Sequence, residues 1–226
     1  MASVALASPT TSSEQRESVD MVFGSRAYLV AKRVTDVVVS ATLIVALTPL
    51  FTLIAVLIKL TSTGPVIFAQ WRIGKNGRPF RFYKFRSMVL DAENRKTSLL
   101  SQNDHTNSVT FKMRRDPRIT WIGRIIRKGS IDELPQLWNV LEGEMTLVGP
   151  RPAVPAEVAQ YTDYHRARLP VTPGLTCLWQ VSGRGDLPFD RQVELDIEYI
   201  RRRSYWFDLI LLARTVPTVL TGRGAY

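Results

Sequence analysis

The amino-acid sequence predicts a helix-rich α+β fold, and three observations support that prediction. Residues 37–58 are apolar and carry no charge, so a helix there would be about 33 Å long at ~1.5 Å per residue. Residues 66–86 contain two β-rich runs on either side of turn-forming residues. Much of the remaining chain shows short amphipathic stretches with helical periodicity. Because 45% of the 226 residues are apolar, the chain can also bury a substantial core.

The composition restricts the kinds of partner. Thirty lysines and arginines against twenty acidic residues give a net charge of +10, which favours nucleic acid, phosphorylated ligands or an anionic membrane surface. The single cysteine, Cys177, excludes an internal disulfide, and we interpret it as a packing residue. His105 and His165 lack metal-ligand spacing and are assigned no role. Residues 1–24 show no periodic apolar pattern and no signal-peptide core, so a disordered tail is predicted there.

The apolar segment 37–58 is close to the hydrocarbon thickness of a bilayer, which predicts a membrane helix. Pro49 lies near its middle, and proline removes a backbone hydrogen bond and kinks a helix. Lys32 and Arg33 precede the segment and Lys59 follows it, although positive charge usually marks only the cytoplasmic side. The residues alone therefore allow two interpretations. The helix either spans the membrane with a kink or breaks at Pro49 and returns to the same face.

Residues 66–86 predict a β-hairpin. The strand-like runs VIFAQWR and PFRFYKF flank residues 74–77, whose sequence GKNG is typical of a tight turn. Residues 91–113 are polar and weakly patterned, so they are predicted to form a long loop.

Two basic amphipathic helices are expected in the second half of the chain. Asp116 and Pro117 predict a helix start, as N-cap and first helical residue. The basic and apolar faces of that helix suit a membrane interface, and an ordinary surface helix is the alternative. A further helix is predicted at 190–200. The arginine-, aromatic- and apolar-rich residues 201–216 then favour another interfacial helix.

An acidic pair, Asp132 and Glu133, lies in this otherwise basic region. Ser130 and Glu133 have the spacing of a capping box, which would give the pair a purely structural role. Pro135 disfavours that alternative, because it would fall inside the helix. It would cost little if Asp132 were the cap instead. Asp132 would then lie at the positive end of a helix dipole, ionised and able to attack phosphorus, with Glu133 as a natural Mg²⁺ ligand.

Three cations are candidates for binding phosphate near this pair: Lys84, Arg127 and Arg151. Pro150 and Pro152 restrict the backbone on both sides of Arg151. The arginine is therefore expected on a stiff backbone, either as a preorganised anion site or as a solvated side chain on a rigid turn.

Four stretches of the chain together resemble the bacterial sugar transferases, also called monotopic phosphoglycosyl transferases. They read KRVTDVVVSATLIVALTPL, GPVIFAQWRIGKNGRPFRFYKFRSM, DPRITWIGRIIRKGSIDELPQLWNVLEGEMTLVGPRP and PGLTCLWQVSGRG. The resemblance covers residues 32–226 and is strongest to short exopolysaccharide enzymes that begin a repeat unit with galactose or glucose 1-phosphate. It implies transfer of sugar 1-phosphate from a UDP-sugar, with UDP-galactose or UDP-glucose favoured, to undecaprenyl phosphate. UMP would be released, and Mg²⁺ would be the cofactor.

The resemblance also implies roles for individual residues. Asp132 would attack the sugar-linked phosphate and form a covalent phosphosugar intermediate. Glu133 would bind Mg²⁺, and Arg127 matches a family arginine near the reaction. The residues that would bind substrate phosphates are Lys84, Arg151 and Arg184.

The family's membrane helix is re-entrant and breaks at a Ser-Pro pair, which Thr48 and Pro49 match here. The resemblance therefore implies a re-entrant helix over residues 25–60. Residues 61–226 would form a catalytic domain on the cytoplasmic face of the bacterial inner membrane, with a homodimer as a further expectation and no nucleic-acid partner.

Three positions depart from the common family pattern. Thr172 and Cys177 replace an arginine and a glycine, and Gly185 replaces a frequent asparagine, which weakens any substrate assignment that is copied from relatives. Two other functions compete with the transferase. A membrane-anchored basic adaptor would leave the acidic pair unexplained, and a glycosyltransferase that moves the sugar alone would release UDP instead of UMP.

Overall fold

The computed structural model describes residues 25–99, 111, 113 and 115–222, so the predicted tail at 1–24 lies outside the described residues. The predicted helix-rich α+β fold is confirmed, with one long apolar helix and two small sheets. The helices are α1 (Arg26–Thr61), α2 (Ala92–Leu99), α3 (Trp121–Lys128), α4 (Gln136–Glu142), α5 (Pro155–Val158), α6 (Asp163–Arg166), α7 (Phe189–Arg202) and α8 (Tyr205–Thr221). The strands are β1 (Ile67–Ile73), β2 (Pro79–Phe85), β3 (Thr146–Val148) and β4 (Gly174–Thr176).

Helix α1 begins after Ser25, whose hydroxyl accepts a hydrogen bond from Tyr28 N. It is long and apolar enough to cross a membrane, and only 11% of its most apolar 18-residue stretch is buried against the protein. Helical structure continues through Pro49, and the hydroxyl of Thr48 donates to Ile44 O at 2.8 Å. Any change of direction at Thr48 and Pro49 would therefore be a bend within the helix rather than a non-helical segment. The re-entrant course stays a prediction.

The first turns of α1 are tied to the rest of the protein by charged side chains. The Lys32 ammonium donates to Val148 O at 2.8 Å and pairs with the buried Asp208 of α8 at 2.6 Å. The Arg33 guanidinium donates to the carbonyls of residues 140 and 141 at the end of α4, both at 2.6 Å. These two cations, which in the sequence only suggested membrane topology, thus also anchor the helix.

The far end of α1 packs on the same body. Ile54 and Ile58 are buried in a cluster that also contains Phe85, Ile122 and Ile126. By contrast, Val45 near the middle of α1 is 74% exposed. Both ends of the helix are therefore held by the protein, while its central apolar surface faces outward.

The predicted hairpin is confirmed. Strands β1 and β2 pair antiparallel from Ile67 opposite Phe85 to Ile73 opposite Pro79. Asn76 and Gly77 take positive φ angles of 56° and 78°, as expected of the GKNG turn. The predicted loop at 91–113 is wrong in its first part, because residues 92–99 form α2, and most of the remainder lies outside the described residues.

The predicted start of the next helix is wrong. Helix α3 begins at Trp121, and its N-cap is Thr120, whose hydroxyl accepts from Gly123 N at 3.0 Å. The Asp116 carboxylate instead pairs at 2.6 Å with the guanidinium of Arg118, and both side chains are buried. Asp116 Oδ1 also accepts from Arg118 N at 3.0 Å, but no helix follows. Val89 N donates to Arg118 O at 2.9 Å and Thr120 N donates to Ser87 O at 3.1 Å, so residues 118–120 pair with residues 87–89 instead of starting a helix.

Strands β3 and β4 pair in parallel, and the backbones of Gly149 and Gly174 are in close contact where β3 ends and β4 begins. A Cβ atom on Gly174 would lie 2.0 Å from the backbone nitrogen of Gly149, so no other residue type fits there. Because of this close approach, the end of β3 lies beside β4. The chain continues from there directly into Pro150 and Arg151.

The main core lies between α4, the β3–β4 pair, α7 and α8. Its most deeply buried members include Leu137, Val140, Met145, Val148, Cys177, Tyr199 and Leu211. The helix predicted at 190–200 is confirmed as α7, and most of residues 201–216 fall in α8. Trp121, Trp138 and Trp206 are 57%, 53% and 71% exposed. Their placement at a membrane interface stays a prediction.

Candidate active site

The acidic pair lies in a short 3₁₀ turn, Ile131–Glu133, and not at a helix cap. Ser130 has the left-handed angles φ 53° and ψ 20°, and its hydroxyl accepts a hydrogen bond from Arg184 Nη2 at 2.7 Å. Helix α4 starts later, after Pro135. Both capping interpretations are therefore wrong. The turn leaves the carboxylates of Asp132 and Glu133 available for other partners.

Glu133 is held by Arg151. The guanidinium donates from Nη1 to Glu133 Oε2 at 3.2 Å and from Nη2 to Oε1, so the contact engages both carboxylate oxygens. Burial alone would raise the pKa of Glu133. The charge and hydrogen bonds of Arg151, helped by Lys84 and Arg184, outweigh burial and hold this pKa below its ordinary value. Glu133 therefore stays ionised.

Asp132 lies in a different electrostatic environment although it is the next residue. Burial and the neighbouring charge of Glu133 raise its pKa to about 6, against the lowering effects of Lys84, Arg127 and Arg151. The side chain is ionised at neutral pH, yet it is more basic than an ordinary aspartate. Divergent pKa values of two adjacent carboxylates are typical of residues with separate chemical roles.

Lys84 approaches the pair from strand β2. Burial, together with the nearby cations Arg72 and Arg127, lowers its pKa to about 8, although the charge of Asp132 opposes that shift. Its ammonium also lies 5.4 Å from the centre of the Phe68 ring on the paired strand. The lysine is thus charged at neutral pH but close to losing its proton.

Arg127 reaches the site because α3 packs closely on the end of the hairpin. A Cβ atom on Gly123 would lie 2.0 Å from the carbonyl oxygen of Ser87, so a glycine is required at this contact. Arg127 lies four residues later on the same helix face. Its charge lowers the pKa values of both Asp132 and Lys84.

The segment that carries Arg151 is fixed by four consecutive carbonyl groups, those of residues 150–153. Each accepts a hydrogen bond from a different residue. In chain order of the acceptors, the donors are Gly174 N at 2.8 Å, Arg168 Nη2 at 3.2 Å, Arg72 Nη1 at 3.1 Å and Ile73 N at 2.8 Å. The rigid presentation of Arg151 that its flanking prolines predict is therefore reinforced from three sides.

Arg184 completes the site from a 3₁₀ turn that follows β4, where its φ angle is 52°. It donates to Ser130, and its charge contributes to the low pKa of Glu133. The structure therefore brings together all six residues that the sequence singled out, namely Lys84, Arg127, Asp132, Glu133, Arg151 and Arg184. Their catalytic and binding roles stay predictions.

Sequence reasoning missed four residues around this site. Ser130 was considered only as a cap, and Arg72, Arg168 and Asp196 were not considered as site residues. Arg72 lies in strand β1, where a charged residue at an outward-facing position is common. No local sequence pattern distinguishes it from an ordinary surface residue. Arg168 and Asp196 come together only through the tertiary fold, so their separation in the chain hides the contact. Cys177 is fully buried and burial raises the pKa of its thiol, in agreement with a packing role.

Few side chains near Asp132 could act as ligands to a metal ion. Within the described ranges, no group of three or more His, Cys, Asp or Glu side chains lies in position to hold one. Mg²⁺ commonly binds one or two protein carboxylates together with substrate phosphates and water. Two adjacent ionised carboxylates thus fit a Mg²⁺ ion that arrives with a phosphorylated substrate. They do not fit a cage built from protein ligands alone.

A buried and a partly buried carboxylate, surrounded by four cations, form the site expected of a group-transfer enzyme that acts on phosphorylated substrates. The sequence pattern of the family described as bacterial sugar transferase matches residues 27–222. The chain belongs to the bacterial sugar transferase family.

Three relatives illustrate the similarity. The galactosyl transferase CpsE of Streptococcus agalactiae serotype III (strain NEM316) is 47% identical over 208 residues, which cover 91% of this chain and 45% of CpsE. The exopolysaccharide production protein ExoY of Sinorhizobium fredii (strain NBRC 101917 / NGR234) is 38% identical over 200 residues, 87% of this chain and 88% of ExoY. The UDP-glucose:undecaprenyl-phosphate glucose-1-phosphate transferase of Caulobacter vibrioides (strain ATCC 19089 / CIP 103742 / CB 15) is 42% identical over 207 residues, 86% of this chain and 72% of that enzyme. The chain thus spans less than half the length of CpsE and most of the length of ExoY.

Proposed function

We propose that this protein transfers a sugar 1-phosphate from a UDP-sugar to undecaprenyl phosphate, giving undecaprenyl-diphospho-sugar and UMP. The observation that carries the proposal is the contrast within the acidic pair. Asp132 is buried, ionised at neutral pH and relatively basic, while Glu133 is held ionised by Arg151. The name of the Caulobacter relative, a UDP-glucose:undecaprenyl-phosphate glucose-1-phosphate transferase, supports the same reaction.

In the first step, a carboxylate oxygen of Asp132 attacks the phosphorus that is linked to the sugar. The bond between this phosphorus and the bridging oxygen breaks, and UMP leaves with the electron pair. The product is a mixed anhydride between Asp132 and the sugar 1-phosphate, so one difficult displacement is divided into two. Lys84 and Arg127, whose charges act on Asp132, would stabilise the charge that develops on the phosphoryl oxygens.

In the second step, a phosphate oxygen of undecaprenyl phosphate attacks the same phosphorus. The bond to Asp132 breaks, the carboxylate is restored, and the diphosphate-linked sugar remains on the lipid. No proton has to be removed from a phosphate dianion, which agrees with a site that is rich in cations and holds no histidine among its six assembled residues.

Glu133 would hold Mg²⁺ together with the substrate phosphates. The ion would supply charge neutralisation for the transferring group. Since both oxygens of Glu133 contact Arg151 in the structure, the Arg151 side chain would move from the carboxylate to a substrate phosphate when substrate binds. Arg184, whose charge already lowers the pKa of Glu133, would also bind the substrate diphosphate.

We further propose that α1 is re-entrant and that the site lies at the cytoplasmic face of the inner membrane. Support comes from its two ends, since Arg33 and Ile58 both contact the globular part of the protein while Val45 is exposed between them. A nucleotide sugar and a lipid phosphate can meet only at such a surface. The sugar is proposed to be galactose or glucose, because relatives of both kinds are similar to this chain. We propose exopolysaccharide or another glycoconjugate as the product pathway and a homodimer as the assembly.

The nucleotide product tests this function. Purified protein in nanodiscs would be incubated with Mg²⁺, undecaprenyl phosphate and UDP-galactose or UDP-glucose, and the released nucleotide would be identified. Lipid-dependent UMP release, lost in Asp132→Asn, is the expected result. Release of UDP would show that the sugar moves without its phosphate. No turnover with any UDP-sugar, while a known relative is active in parallel, would favour the adaptor function.

A further inference from the structure

We propose that Arg168 and Asp196 form a buried positioning pair that fixes Arg151 in the active site. The inference rests on the proposed function and adds two residues to it. Neither residue is within the acidic turn, and neither is assigned to contact the substrate. Their effect on the reaction would act through the backbone of Arg151.

The geometry connects the pair directly to the carbonyl group of Arg151. Arg168 Nη2 donates to Arg151 O at 3.2 Å, and the same guanidinium forms an ion pair with the Asp196 carboxylate of α7. A third contact, from Arg168 Nη1 to the hydroxyl of Tyr161 at 3.3 Å, restrains the other terminal nitrogen of the guanidinium. Three partners from different parts of the chain therefore fix the plane of one guanidinium.

Because both side chains are buried, the loss of any of these contacts would be energetically costly. Arg168 is 6% exposed and Asp196 is fully buried. A buried arginine needs both a counter-charge and hydrogen-bond acceptors, because its desolvation is costly when either is missing. Asp196 supplies the charge, and the Arg151 carbonyl supplies one of the acceptors. A rotation of the backbone at Arg151 would break this hydrogen bond and is thereby opposed.

Among the carbonyl groups of residues 150–153, that of Arg151 is the one whose hydrogen-bond donor, Arg168, does not belong to a strand. The carbonyls of residues 150 and 153 accept backbone hydrogen bonds from residues next to the sheets, whereas that of Arg151 depends on Arg168. Pro152 limits the ψ angle of Arg151 to the extended range, and the hydrogen bond from Arg168 fixes the peptide plane after Arg151 within that range. This plane determines where the Arg151 side chain meets Glu133.

A double-mutant cycle tests the proposal with two changes at the pair. Arg168→Met/Asp196→Leu replaces the ion pair by apolar side chains and leaves no unpaired charge, a replacement that proteins often tolerate. Arg168→Lys keeps the charge beside Asp196 but cannot reproduce the planar fork that also reaches Arg151. Each change would be made alone and together with Arg151→Gln, and kcat/KM for the UDP-sugar would be measured in nanodiscs.

Each pair variant alone is expected to lower kcat/KM by roughly 10-fold or more, and by no more than about 2-fold when Arg151 is already replaced. A change that only loosened the fold would lower kcat/KM by the same factor with and without Arg151→Gln.

Arg118→Gln is the matched control, because Arg118 is 5% exposed and its described hydrogen bonds go to Asp116 and Ala92. Its effect on kcat/KM should be the same with and without Arg151→Gln. Folded pair variants with wild-type kcat/KM, or effects that simply multiply with that of Arg151→Gln, would overturn the proposal. If the wild-type protein released no UMP, that result would instead count against the proposed function. Failure of the proposed function can therefore be distinguished from failure of the positioning pair.

Discussion

Asp36, within the long apolar helix α1, accepts a hydrogen bond from Leu147 N at 2.9 Å in strand β3. The same buried carboxylate accepts from the hydroxyl of Thr146 at 2.7 Å. Strand β3 leads within four residues to Arg151, so the helix that is predicted to enter the membrane also supports the segment that carries an active-site arginine. The apolar helix thus directly supports the backbone next to the candidate site.

Replacement of Asp36 tests this support. Asp36→Leu leaves the Leu147 amide and the Thr146 hydroxyl without their acceptor, and the free energy of unfolding is expected to fall by about 1–3 kcal/mol. Asp36→Asn keeps one acceptor oxygen and should lose less. Unfolding in detergent, followed by near-UV circular dichroism, measures the difference. Equal stability of the Leu and Asn variants would contradict this role for Asp36.

The pH dependence of kcat/KM should be bell-shaped. Asp132, the proposed nucleophile, has a pKa raised to about 6, so it takes up a proton and activity falls as the pH drops through that value. Lys84 has a pKa lowered to about 8, so the cation is lost as the pH rises above it. Lys84→Arg, which stays charged, should remove the alkaline limb, while Lys84→Met should also lower the maximum. An alkaline limb that persists in Lys84→Arg would assign it to another group.

Gly123→Ala should disturb the site from a distance. The new methyl group would lie 2.0 Å from Ser87 O, so α3 must move away from the hairpin and carry Arg127 with it. We expect a loss of about 1–3 kcal/mol in stability and a lower kcat/KM. Gly129→Ala is the control, because its methyl group would meet only Ile131 side-chain atoms at 3.4 and 3.5 Å, an ordinary contact. Similar losses in both variants would refute the steric explanation.

The course of α1 can be read from cysteine labelling in cells. The single native cysteine, Cys177, is buried and should not react, so introduced thiols give a clear signal. Ser25→Cys and Lys59→Cys place one exposed thiol at each end of the helix. A re-entrant helix predicts that a membrane-impermeant maleimide labels neither position from the periplasm and both after permeabilisation. Periplasmic labelling of one end alone would indicate a spanning helix.

The parts of the fold that could be predicted from the sequence are those with local signals. The GKNG turn requires positive φ angles that its residues readily adopt, and the periodicity of residues 190–200 needs no distant partner. The helix start at Asp116 failed because the backbone of residues 118–120 pairs with the distant residues 87–89, which propensity cannot anticipate. The capping box at Ser130 failed for a similar reason, since its hydroxyl bonds Arg184, 54 positions later in the chain.

The candidate site shows the same division between local and distant signals. Asp132, Glu133 and the proline-framed Arg151 lie in short distinctive motifs and were found from the sequence. Arg168 and Asp196 are separated by 27 intervening residues and meet only when α7 packs behind the Arg151 segment. No pattern in either stretch indicates a partner, so a buried ion pair of this kind becomes visible only in three dimensions.

The covalent step is the centre of the account, and intact-protein mass spectrometry tests it most directly. The protein in nanodiscs would be incubated with Mg²⁺ and UDP-galactose or UDP-glucose, without a lipid acceptor. We predict that the mass increases by one hexose phosphate, that the adduct disappears when undecaprenyl phosphate is added, and that Asp132→Asn never forms it. Lipid-dependent UMP release by a protein that forms no adduct with its UDP-sugar would contradict the role of Asp132 as nucleophile.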